Sequence, residues 1–314
     1  MRICSLLPGA TEIVAALGLT DRLVGISHEC DYPPGIQAVP VMVDPLVDSI
    51  HLSSAEIDAQ VRTALDEHGG LYRLREPSLA GAHPDLIIVQ DLCHVCAVTP
   101  AQLHRVIDSL SPRPRVLTLN PHSLEDVLAD IERIGSAVDQ RDTAQQLVAD
   151  LRRRLAEIEC QVLPAQRPPR VACLEWLSPL YCAGHWVPDM VRIAGGVDML
   201  GASGMPSRVV TWEELLEAAP DILVIMPCGF TKERATQEWE PLSHSAEWRS
   251  IPAVQTGRVS IVNALAYFSR PGPRLVDGVA QLAAVFHPDL ASDIATSLRA
   301  LNPPERGKGA PKAS

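Results

Sequence analysis

Short runs of aliphatic and β-branched residues alternate with amphipathic stretches along most of the chain, which predicts βα units built on largely parallel sheets. In the first half these runs are residues 2–7, 23–27, 86–90 and 115–119. A helix is predicted over residues 11–17, ended by Gly18 in the left-handed region. Another is expected where Thr99 caps and Pro100 begins it. After the proline-rich joint 164–169, strands at 171–174, 221–226 and 259–262 alternate with helices at 187–194, 212–218 and 273–286. Between the halves, Ser123 and Asp126 form a capping pattern that opens a helical region reaching Val162. Ala144, Leu147, Leu151, Leu155, Ile158 and Val162 fall on one face of it. From Asp142 onward this helix is roughly 30 Å long, enough to cross one lobe and reach the next.

The expected fold class is therefore α/β: two Rossmann-like lobes with parallel sheets joined by one long α-helix. The divisions are residues 1–122, a helical connector 123–164, a second lobe 165–300 and a disordered tail 301–314. An internal echo supports a duplicated plan: AHPDLIIVQDLC at 82–93 answers AAPDILVIMPC at 218–228.

A length of 314 residues exceeds one comfortable hydrophobic core and agrees with two lobes. The net charge of −11, with no cationic helix face, excludes a nucleic-acid partner. No apolar run approaches the ~20 residues of a membrane helix, so no membrane insertion is expected. The residues ahead of the first strand are too few for a signal sequence, so the expected compartment is cytoplasmic, with the eight cysteines reduced.

The segment DLCHVCAV, residues 91–98, places Cys93, His94 and Cys96 straight after a buried-strand pattern. With Cys182 and His185 from the second half, Cys93 and Cys96 make a Cys₃His set of the kind zinc accepts; additional ligands at His28 and Cys30 would suit an iron–sulfur cluster. Cys4, Cys160 and Cys173 lie inside predicted elements, where a buried inert thiol is expected. His51, His68, His83, His104, His122, His244 and His287 follow no ligand spacing and read as solvated or structural. Neither a Ser-His-Asp set, nor a phosphate-cradling loop, nor a carboxylate pair stands out, so the sequence makes no case for an enzyme.

SLLPGATEIVAALGL, LVGISHECDYP, HPDLIIV, EWLSPLYCAGHWVPDMVRIAGG, TWEELLEAAPDILVI and FSRPGPRLVDGV together resemble the helical-backbone (class III) solute-binding proteins of ABC transporters. These bind cobalamin, haem and ferric siderophores, and the chain looks most like the cobalamin branch. The resemblance implies a monomer of two lobes with the ligand in the cleft between them. In open sheets ligands sit beyond the carboxyl ends of strands. Cleft candidates in the first half are Pro8, Gly9, His28, Cys30, Tyr32, Cys93, His94 and Cys96. In the second half they are Glu175, Trp176, Tyr181, Cys182, His185, Trp186, Cys228, Phe230, Tyr267 and Arg270. Aromatic walls with a few polar anchors suit a corrinoid, and equally a haem or a siderophore. Arg270 and Glu175 read either as ligand anchors or as ions paired across the lobes.

Family members dock on a permease through an acidic residue on each lobe. The segment 93–104 has none, and only Glu213 or Glu214 is available in the second lobe. This counts against delivery to a transporter and, with the cytoplasmic expectation, favours an intracellular corrinoid carrier. The stiff helical connector predicts small lobe motion on binding.

Overall fold

The computed structural model describes residues 1–49, 51–90, 106–108, 110–163 and 167–294. The expected Thr99/Pro100 helix, the tail 301–314, Cys93, His94 and Cys96 lie outside the described residues.

The first lobe contains β1 (Ile3–Ser5), α1 (Pro8–Ala16), β2 (Leu23–Ile26), β3 (Val43–Pro45), α2 (Ser54–His68), β4 (Tyr72–Leu74), α3 (Glu76–Ala82), β5 (Leu86–Gln90) and β6 (Arg115–Leu119). Its main sheet has the order β2-β1-β5-β6 and is parallel throughout, with Cys4 opposite Ile87 and Ile88 opposite Leu117. β3 and β4 form a separate antiparallel pair. α1 starts three residues earlier than expected because Pro8 takes the first helical position, where its missing N–H costs nothing. Pro8 and Gly9 therefore belong to a helical turn rather than a loop. Gly18 has φ +76°, as its place after the helix requires.

The connector is two helices, α4 (Leu124–Ala137) and α5 (Arg141–Val162), interrupted where Asp139 takes φ +59°. Ser123 and Asp126 form the expected reciprocal cap of α4. Where the two helices meet, a Cβ on Gly135 would strike the Cβ of Ala144.

The second lobe contains β7 (Arg170–Leu177), β8 (Leu180–Cys182), α6 (Val187–Ile193), β9 (Val197–Asp198), β10 (Arg208–Val209), α7 (Trp212–Ala218), β11 (Ile222–Ile225), α8 (Lys232–Leu242), α9 (Ala246–Arg249), α10 (Pro252–Gln255), β12 (Val259–Ile261), α11 (Ala264–Tyr267) and α12 (Leu275–Phe286). β9, β7, β11 and β12 pair in parallel, whereas β8 runs antiparallel to β7 and β10 antiparallel to β8. The second sheet is thus mixed, its parallel part extended by a hairpin.

The internal echo is a shared hydrogen-bonded module. α3 and α7 each end in a left-handed residue, His83 (φ 42°) and Ala219 (φ 38°), followed by Pro-Asp and a central strand. Asp85 accepts the N–H of Arg2 at 2.6 Å and Asp221 that of Arg170 at 2.9 Å. The same two arginines donate from their guanidinium groups to the helix-end carbonyls of Ala82 and Ala218. Each lobe thereby aligns its first strand against the strand that follows the Pro-Asp corner.

One apolar core runs through both lobes: Ile3, Ile13 and Leu86 join Ile131, Leu151 and Ile158 of the connector and Val191, Val279 and Phe286 of the second lobe. Arg154 on the inner face of α5 ion-pairs with Asp277 of α12. Among the described residues, no helix is long and apolar enough to cross a membrane.

Candidate functional site

At the carboxyl ends of β1 and β2 the backbone is held by a buried polar chain. Thr11 Oγ1 donates to Ser5 Oγ at 2.9 Å and lies 3.1 Å from Cys30 Sγ. Burial pushes the Cys30 thiol up to about 11. The thiol is packed against Thr11. Cys4 and Cys173 are buried as expected, and burial raises both thiols well above the usual range.

His28, half-buried after β2, lies with its ring 5.3 Å from that of Tyr72, and its buried Nδ1 finds no hydrogen-bond partner among the described residues. Burial lowers its pKa, so the imidazole is neutral near pH 7.

In the second lobe, Trp176 and Tyr181 are cross-strand partners on the β7–β8 hairpin, both half-buried. Glu175 is half-buried, and its carbonyl accepts the N–H of the exposed Cys228 at 2.9 Å. Trp176 Nε1 donates to the Ser54 carbonyl at 3.1 Å, across to the start of α2, and its ring meets Phe230 edge-on at 5.5 Å. Phe230 is buried against Val47, Ile57 and Leu71 of the first lobe. Glu238 accepts the Ser54 N–H at 3.0 Å and Arg234 donates to the Leu52 carbonyl, so α2 bridges the lobes.

Several expected site residues sit elsewhere. Trp186 is buried in the core with Nε1 donating to the Phe268 carbonyl at 2.8 Å. Cys182 packs among Leu174, Leu180 and Val210, while the ring of His185 faces His122 at 6.0 Å and Trp186 at 5.7 Å. Cys182 and His185 thus have different surroundings. Among the described residues no group of three or more potential ligands assembles. Cys160, expected buried, is exposed on α5.

Of the residues that join the lobes most directly, sequence reasoning left out Glu12 and Arg274. Glu12, with a side chain only 3% exposed, accepts Arg274 Nε at 2.8 Å and a second guanidinium nitrogen at 2.5 Å. Arg270 lies 3.5 Å from the same carboxylate, pairs with Asp31, and donates to the Glu29 carbonyl at 2.7 Å. The arginine expected as either anchor or cross-lobe ion is thus a cross-lobe ion. Arg274 lies over the rings of Tyr32 (4.2 Å) and Tyr267 (5.7 Å). A Cβ on Gly9 would collide with the Pro271 carbonyl, so the absence of a side chain lets α1 meet the segment leading into α12. The available signal was Glu12 itself, the only charge in the apolar helix PGATEIVAA.

Two α/β lobes joined by a helical connector thus meet at a junction to which both contribute side chains. A model of the periplasmic binding protein family matches residues 3–264. The chain belongs to this family. As a periplasmic binding protein it is 26% identical over 290 residues to the vitamin B12-binding protein of Vibrio cholerae, covering 90% of this chain and 87% of that one. It is also 26% identical to an uncharacterized ABC transporter substrate-binding lipoprotein of Bacillus subtilis, covering 92% and 80%. The periplasmic heme-binding protein of Roseiflexus sp. RS-1, in apo form, superposes with a TM-score of 0.68 at 20% identity, covering 92% and 98%, a likeness of fold.

These relatives overturn the cytoplasmic expectation: the family and the lipoprotein relative point outside the cytoplasm. The pattern of buried residues carries no address, because a leader contributes nothing to the folded lobes. The appeal to a reducing compartment for the thiols falls with it.

Proposed function

We propose that this periplasmic binding protein holds a cobalamin-type corrinoid non-covalently between its lobes and presents it to an ABC transporter permease. The observation that carries the reading is the near full-length correspondence with the vitamin B12-binding protein of Vibrio cholerae. Aromatic side chains from both lobes, Tyr32, Trp176 and Tyr267, stand near the junction and supply apolar surface for a large ring. Glu213 is exposed on α7, whereas Glu214 is occupied by Thr211 and Arg208, so of these two Glu213 is the one available to a permease. Transport delivery, disfavoured by the acid-free segment 93–104, regains support from the family.

Haem is the second reading, favoured by the half-buried His28: burial lowers its pKa and keeps the imidazole neutral near pH 7, the form in which a ring nitrogen ligates iron. The test is absorbance titration of the purified protein with hydroxocobalamin and, separately, haemin. Saturable one-to-one binding of hydroxocobalamin, at least about 1.4 kcal/mol tighter than haemin, is expected, a tenfold preference. The reverse order would assign the chain to haem, and no response to either would remove both readings.

A further inference from the structure

We propose that Arg274 is a positioning residue for ligand recognition, one cation that fixes Tyr32 of the first lobe and Tyr267 of the second as walls of the binding site. This rests on the reading that a large planar ligand occupies the junction. The guanidinium is held edge-on: its Nε and one terminal nitrogen donate to the two oxygens of Glu12, at 2.8 and 2.5 Å. A guanidinium so anchored has a fixed plane, and its faces are what remain for neighbours. Its Cζ lies over the rings of Tyr32 and Tyr267, 4.2 and 5.7 Å from their centroids.

Tyr32 is 41% exposed, so a ring fixed on one side by the cation keeps area open to a ligand on the other. Tyr267 is half-buried at the end of α11. Without the cation, the Tyr32 ring sits on an exposed loop and loses a defined orientation, which a rigid ligand would have to restore on binding. Arg270 does not duplicate the role, because its partners are Asp31, the Glu29 carbonyl and Glu12 rather than a ring. The network therefore divides its labour: Arg270 ties the loop backbone to the second lobe, and Arg274 orients the aromatic rings.

The experiment is a double-mutant cycle read by hydroxocobalamin and haemin affinity, with thermal unfolding measured alongside. Arg274→Gln is expected to weaken the preferred probe about five- to tenfold, a loss of cation–ring size. In the Tyr32→Leu background the same substitution is expected to cost clearly less, and in the Tyr32→Leu, Tyr267→Leu background less than twofold, with Tyr32→Phe retaining the wild-type response. Arg274→Lys, which keeps the charge but not the fork, is expected to recover only part of the affinity. Should Arg274→Gln fail to fold because Glu12 is stranded, the paired exchange Glu12→Gln with Arg274→Gln removes both charges together and replaces it in the cycle. Equal losses in the wild-type and Tyr32→Leu backgrounds would overturn the proposal, leaving Arg274 as a rivet between lobes. Failure of the wild-type protein to bind either probe would instead remove the ligand reading beneath it, and shows in the first titration.

Discussion

His185 illustrates how a single side chain ties folding to solution conditions. Burial lowers its pKa, and the neighbouring His122 acts in the same direction. The folded protein therefore binds fewer protons than the unfolded chain below about pH 6.5. This contribution is complete above that pH and is lost as pH falls. His28 has the same sign. His185→Asn is expected to flatten the fall in melting temperature between about pH 7 and about pH 5 relative to wild type; an unchanged slope would show that the ring is not desolvated. At this scale the sequence was legible where residue type alone decides burial, as at Cys4 and Cys173. It failed at Cys160, where helix phase decides: two residues from both Ile158 and Val162, position 160 points away from the buried stripe. It failed also at Glu12 and Arg274, since nothing local shows that residues 262 positions apart meet.

Among the elements, the strands at 86–90 and 115–119 and the helix at 212–218 were legible to the residue, because each is bounded by turn chemistry and carries a clear pattern. The antiparallel arm of the second sheet was not. Its signal was the Ser178-Pro179 pair between two apolar runs, a two-residue hairpin connection that reads equally as the end of a strand. The repeated Pro-Asp corner makes a paired prediction. Asp85→Ala and Asp221→Ala each strip a backbone N–H of its carboxylate partner, and each should lower stability by about 1–2 kcal/mol, measured by urea unfolding. Two losses of similar size are expected because the corners are built alike; a large loss at one and none at the other would show that the likeness is geometric but not energetic.

For the molecule as a whole, the connector and the cross-lobe contacts act together. The Glu12–Arg274 pair, the Gly9–Pro271 approach and the seating of α2 against the second lobe join the halves at separate places. The expected small lobe motion takes a concrete form here. Saturating hydroxocobalamin should leave the radius of gyration from solution scattering unchanged within error, and a contraction such as hinged domains show would contradict it.

The shared core also sets an order of events during synthesis. The inner stripe of α5 is complete once residue 162 has been made, yet α12, which covers part of it, begins only at Leu275. For more than one hundred residues of elongation, the part of that stripe that α12 covers lacks its native neighbour. A chain that stops short of α12 is left with an adhesive seam and every incentive to pair with the wrong neighbour.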